Sequence, residues 1–192
     1  MKNKKAFYLT NILFKISIVL ILINIGFVHI NRQNEKREMK EAKIIIYDTF
    51  KTYSTKALGK HKEYIVHLDY GTREISVKTT TKKIIEKIPL PKKLYYVTVF
   101  RTENSTERKR SEFEAKITNN GNITPSFSIY IFDYKKIARY RISCYGFQTI
   151  KFMKINIYKN SKDKTATYKN IVRYHDKLRN NNDHFLKYWR KE

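Results

Sequence analysis

Side chains that could do chemistry are few and scattered in this sequence. The five histidines, His29, His61, His67, His175 and His184, have no zinc-ligand spacing with a cysteine or a carboxylate. His61 and His67 lie near one expected hairpin and read as surface residues. The single cysteine, Cys144, has no sequence neighbour that would activate a nucleophile, so it reads as a buried thiol. One cysteine also excludes a disulfide framework and a thiolate metal site. Five glycines supply no phosphate-cradling loop. The sequence therefore argues against an enzyme, and no cofactor or metal is expected.

Charge is the stronger signal. The chain has 192 residues, with 41 Lys and Arg against 17 Asp and Glu, a net +24. A typical small domain carries a charge of roughly 2–8 in magnitude. Such an excess suggests nucleic acid, an anionic membrane or another acidic surface. A codon bias toward A/T would raise Lys, Ile, Asn and Tyr with no binding role, but it would raise Glu as well. Residues 1–30 carry four lysines and no acid. Residues 31–158 hold 27 basic against 13 acidic residues, and residues 159–192 hold 10 against 4. In the last segment Tyr168, Tyr174, Phe185, Tyr188 and Trp189 interleave with Lys169, Arg173, Lys177, Arg179, Lys187 and Arg190. Cations for phosphates with aromatics for base stacking is the recipe for single-strand binding. The competing reading is a tail helix that packs Ile171, Tyr174 and Leu178 on the preceding domain and turns its charges outward.

The elements that must position these residues begin with Ala6 to Ile30, an apolar run interrupted by one charge, Lys15. Residues 12–30 would span roughly 28 Å as a helix, enough to cross a bilayer. Lys2, Lys4 and Lys5 would hold the N-terminus in the cytoplasm and leave the remainder outside. A cleaved secretory signal would need small residues at the cut, and His29-Ile30-Asn31-Arg32 offers none. An uncleaved anchor is the plain alternative.

From Phe27 to Leu58 neither Gly nor Pro occurs. Met39, Ile45, Ile46 and Phe50, with Ala42, Tyr53 and Ala57 alongside, form a partial apolar stripe. One long helix over about 7–57 is expected, apolar all round in its first half and amphipathic in its second, with Gly59 as its stop. The heptads are too irregular for a coiled coil.

Short strands follow. Tyr64–Leu68 and Glu74–Lys78 form a hairpin pattern across Asp69-Tyr70-Gly71-Thr72. Leu94–Phe100 is rich in β-formers. Glu112–Ile117 and Ser126–Phe132 alternate, with a turn at Asn119-Asn120-Gly121-Asn122 between them. Ile137–Ser143 and Phe147–Tyr158 complete the set. A helix followed by antiparallel strands is an α+β order, with the strands expected in two small sheets.

The junction Lys4-Lys5-Ala6-Phe7-Tyr8-Leu9-Thr10-Asn11 resembles the leader of type IV pilins and pseudopilins. That pattern has a short basic leader, Gly or Ala before the cut, Phe as the first mature residue, and Glu at the fifth mature position. Ala6 and Phe7 match the cleavage and N-methylation site. Asn11 stands where the Glu is expected. In the family, that carboxylate pairs with the charged amine of a neighbouring subunit inside an apolar filament core, where an unpaired charge is costly. Asn11 accepts a hydrogen bond but cannot neutralise the amine. The departure suits a tip or rare subunit, or a degenerate one that never assembles.

The β region resembles the GspH/FimT class of pseudopilins. The matching features are Ile88-Pro89-Leu90-Pro91, the block from Phe113 to Gly121, and Tyr140-Arg141-Ile142-Ser143 followed by Gly146-Phe147-Gln148-Thr149-Ile150. The resemblance covers about residues 4–158. It implies a leader at 1–6, a transmembrane helix at 7–30, an amphipathic continuation at 31–58, a β domain at 59–158 and a basic aromatic tail at 159–192. It further implies a minor subunit of a pilus, competence or type II secretion filament, single-pass in the inner membrane. Expected partners are other pilin subunits through the N-terminal helix, and the prepilin peptidase. Some such subunits bind DNA through basic C-terminal segments. By that resemblance Arg139, Arg141, Lys151, Lys154, Lys169, Arg173, Arg179, Lys187 and Arg190 are candidate DNA contacts. The reading from a different class is a membrane-anchored protein that binds an acidic partner outside any filament.

Overall fold

A computed structural model describes residues 2–101, 107–146, 153–161, 163–179 and 188–192. The chain is α+β: helix α1 (Lys2–Lys60) precedes two antiparallel sheets. It divides into two compact units, Met1–Arg37 and Glu38–Glu192.

The first unit is helix alone. Lys2 to Lys5 contain no helix breaker, so α1 begins inside the expected leader and not at Phe7. From Asn11 to Ile30 every residue is exposed. A helix that is apolar all round requires a non-aqueous surrounding or a partner surface, and this one is long and apolar enough to cross a membrane. Two of its polar side chains are turned back on the helix. Ser17 donates to the Leu13 carbonyl at 2.9 Å and Asn24 to the Leu20 carbonyl at 3.1 Å. These bonds lower the cost of placing both residues in hydrocarbon.

The second unit starts with the amphipathic half of α1. Ala42, Ile46, Phe50, Tyr53 and Ala57 recur at spacings of three and four and are all buried. Met39 and Ile45 flank the stripe, and Ile44 points outward. Truncating Phe50 to Ala would cost about 3–5 kcal/mol by the usual large-to-small scale. The helix does not stop at Gly59. His61 takes the left-handed conformation at φ 51°, and the Lys62 N–H bonds the Ala57 carbonyl at 3.2 Å. That is a Schellman cap with histidine in the position that glycine favours.

The first sheet has the order β3-β2-β1-β6-β7, built from β1 (Tyr64–Asp69), β2 (Glu74–Thr79), β3 (Ile84–Pro89), β6 (Glu112–Ile117) and β7 (Ile123–Thr124). The expected β1–β2 hairpin is present, with Tyr64 opposite Thr79 and Asp69 opposite Glu74. β6 alternates as read, with Phe113, Ala115 and Ile117 buried. β3 carried no alternation because it is an edge strand with little burial, and Pro89 closes it where no donor is needed.

The second sheet has the order β11-β10-β9-β8-β4-β5. Its strands are β4 (Tyr95–Arg101), β5 (Glu107–Arg110), β8 (Phe127–Phe132), β9 (Ala138–Tyr145), β10 (Lys154–Asn160) and β11 (Trp189–Lys191). β8 is buried at every position. Phe127, Ile129 and Ile131 join a core shared with α1 and the first sheet. Tyr130 and Phe132 enter a second core on the opposite face. That face is covered by helix α2 (Ile171–Arg179) and by Trp189 of β11.

The described residues of 159–192 pack on the second sheet. Ile171, Tyr174 and Leu178 are buried, which is the packed-helix reading, and the chain's last strand completes the sheet.

Candidate functional site

Two groups of residues were expected to act, the leader junction and the basic candidates. Ala6 and Phe7 lie within α1, and their side chains fall outside the described residues. Asn11 is exposed on the same helix, at the start of its apolar stretch.

The basic candidates divide by environment. Arg139 is half-buried, and its Nε donates to Asp133 Oδ2 at 2.7 Å. Asp133 itself is 3% exposed. Its other oxygen accepts the backbone N–H groups of Lys135 and Ile137, each at 2.9 Å. Arg139 thus neutralises a carboxylate that shapes the β8–β9 turn. Arg141 is buried, with its guanidinium 4.2 Å from the Tyr158 ring centroid and 5.7 Å from that of Trp189. Lys154, Lys169, Arg173 and Arg190 are exposed. Lys151 and Lys187 lie outside the described residues, as does the side chain of Arg179.

Register decides which of these share a surface. Residues two apart on a strand, and directly opposed residues on neighbouring strands, point to the same face. Arg141 opposes Tyr158 and Lys154 opposes Tyr145, so Arg141 and Lys154 both project on the α2 side of the second sheet, while a shift in register at Arg139 breaks the alternation there. Arg190 opposes Lys159, an odd step along β10 from Lys154, and projects on the other side. Lys154 and Arg190 therefore lie on opposite faces of the sheet.

The aromatic half of the single-strand recipe is used in packing. Tyr174 and Trp189 are buried, and Tyr188 packs against the second core. Tyr168 meets Phe132 edge-on at 5.3 Å and Tyr95 at 6.1 Å. Phe185 lies outside the described residues. Behind these rings is a polar network that the sequence did not reveal. Tyr174 Oη donates to the buried carboxylate Oδ2 of Asp163, and Thr165 donates to Oδ1 through both its backbone N–H and its hydroxyl at 2.7 Å. Asn160 donates to the carbonyls of Ala138 and Asp163 at 2.8 and 2.7 Å. Asx-type spacing at Asn160-Ser161-Lys162-Asp163 was the only available hint.

His175 Nδ1 lies 2.7 Å from the Tyr130 hydroxyl, and His67 Nδ1 lies 3.2 Å from Glu114 Oε1. Among the described residues no group of three or more His, Cys, Asp and Glu could hold a metal ion. Cys144 is buried in the core shared with α1, where desolvation pushes its thiol well above the ordinary value. It is therefore a poor nucleophile. No protein family, curated protein or solved structure matches the chain.

Proposed function

We propose that this chain is a minor pilin or pseudopilin subunit of a type IV filament system, of the pilus, competence or type II secretion kind. The observation that carries the reading is the division of labour along one helix. α1 is uninterrupted from Lys2 to Lys60. It is apolar and exposed over Ile12–Ile30, and then supplies Ala42, Ile46, Phe50, Tyr53 and Ala57 to the core of a two-sheet head. A subunit held first in a membrane and then in a helical bundle needs such an element. The basic residues Lys2, Lys4 and Lys5 before Ala6-Phe7 support cleavage at that bond and a head outside the cytoplasmic membrane.

DNA contact belongs to the same proposal in a restricted form. The exposed cations Lys154, Lys169, Arg173 and Arg190 can meet phosphates, while the buried aromatics near them cannot stack on bases. Binding of this kind is electrostatic and falls steeply with salt.

Asn11 favours a second reading, an anchored protein outside any filament that binds an acidic partner, because an amide cannot neutralise a subunit's terminal amine. Mass spectrometry of the chain from cells with active prepilin peptidase separates the two. A chain that begins at N-methylated Phe7 is expected. An intact chain that begins at Met1 would sink the filament reading.

A further inference from the structure

The α2 side of the second sheet contains a cavity of about 570 Å³, within the range of small-molecule sites, roughly 300–1,000 Å³. Its polar lining includes Ser128, Arg141, Ser143, Tyr145, Tyr158 and His175. Val99 and Leu178 add apolar wall. The hydroxyls of Ser128 and Ser143 bond each other at 2.8 Å, and His175 is held by Tyr130. Among the described residues no carboxylate lines this space.

Arg141 is the residue that needs explaining. It is 8% exposed, and its Nε is buried without a hydrogen-bond partner. It takes part in none of the ion pairs among the described residues. The rings of Tyr158 and Trp189 lie close to the guanidinium, which eases its burial, but a ring face cannot accept the in-plane N–H donors. A buried cation without a counter-charge is costly, and planar guanidinium donors match an oxyanion bidentately. Arg139 on the same strand shows the contrast: it has its carboxylate in Asp133, whereas Arg141, two residues on, has none among the described residues.

We propose that this cavity binds a small organic oxyanion, a carboxylate or phosphate on an apolar body, with Arg141 as its counter-charge, Ser128 and Ser143 as further polar contacts, and Val99 and Leu178 against the apolar part. This site is independent of whether the chain is a filament subunit.

The test uses the full chain in detergent micelles. Trp189 is the sole tryptophan and adjoins Arg141, so its fluorescence reports occupancy. Phenyl phosphate and benzoate are titrated as probes, with inorganic phosphate to isolate the charge and benzyl alcohol as the neutral comparison. Saturable binding of an aromatic oxyanion, with benzyl alcohol at least about tenfold weaker, is expected. The two oxyanion arms decide between phosphate and carboxylate. Arg141→Gln should weaken binding by about tenfold or more. Should that variant lose its native circular dichroism, Asn156→Asp serves instead. Asn156 opposes Ser143 on β10, and the change places a carboxylate of the same shape on the same face, so the oxyanions should bind several-fold more weakly. Equal response to benzyl alcohol, no saturable response to either oxyanion, or undiminished binding in the folded variants overturns the proposal.

Discussion

The Trp189 indole N–H donates to the Tyr174 hydroxyl at 2.9 Å, and that hydroxyl in turn donates to Asp163. This chain of bonds ties the last strand to α2 and to the loop after β10. It turns a segment that looks like a basic tail into the outer layer of the second sheet. Tyr174→Phe keeps the ring but removes the acceptor for Trp189 and a donor to Asp163. Losing partners to buried polar groups costs about 1–3 kcal/mol. We expect a drop of that size in chemical denaturation, with the Trp189 emission of the native state shifted to the red. A variant as stable as the parent would mean that the network contributes nothing to holding the C-terminal layer.

Gly121 makes a second connection, between α1 and the turn after β6. It sits at φ +75°, its carbonyl accepts from the Ser54 hydroxyl, and an added Cβ would come within 2.8 Å of the Ser54 carbonyl oxygen. The left-handed backbone and the contact with rigid helix backbone act in the same direction. Gly121→Ala should therefore destabilise by about 1–3 kcal/mol. Gly121→Asn should suffer similarly: asparagine tolerates the backbone conformation better but cannot avoid the contact. If thermal melts place Asn close to the parent and far above Ala, the close contact is not the cause.

These two residues also mark what could be read from the amino acids. Asn119-Asn120-Gly121-Asn122 announced a turn through composition, and α1, the β1–β2 hairpin, β6 and β8 were legible through apolar periodicity. The second buried face of β8 was not, because Tyr130 alternates with Ile129 and Ile131 in the same way whether its face meets water or α2. β5 was missed since an edge strand made of Glu, Arg and Lys carries no burial signal, and β3 because its isoleucines do not alternate and Ile84 and Ile85 stay exposed at the sheet edge. The candidate cations were legible as residues but not as a surface. Whether Arg139 meets solvent or Asp133 depends on a turn, and whether Arg141 is exposed depends on α2, which lies about thirty residues further along the chain. The helix cap was misplaced for a local reason: Gly59 remains helical and His61 takes the positive φ.

The β1–β2 turn gives a pH dependence with a definite sign. The Asp69 carboxylate accepts hydrogen bonds in the turn, above all with Thr72 and also from the Gly71 N–H at 2.8 Å, and its pKa is held below the ordinary 3.8. A group whose folded pKa is depressed stabilises the fold above its unfolded pKa. That contribution is lost as pH falls through the folded value. The stability gap between the parent and Asp69→Ala should be constant from pH 7 to about pH 5 and shrink below about pH 4. Urea denaturation across that range checks it. A gap that widens on acidification would reverse the sign and remove the carboxylate from the account.

The placement of the cations separates structural charge from charge free to meet phosphates. Lys154, Lys169, Arg173 and Arg190 are exposed, whereas Arg139 is committed to Asp133. On single-stranded DNA the logarithm of affinity should fall with the logarithm of salt by about 0.7 per neutralised phosphate. Replacing any of the four exposed cations that contacts a phosphate with Gln should make the slope shallower by about that amount while leaving the melting temperature within a degree or two. Arg139→Gln should do the opposite, lowering the melting temperature and leaving the slope unchanged, because it strands a buried carboxylate without removing a phosphate contact. Lys154 and Arg190 project from opposite faces of the second sheet, so a short oligonucleotide should respond to one of them and not to both. A slope that ignores all four exposed positions, yet changes with Arg139, would show that phosphates are met by a surface other than the one these residues define.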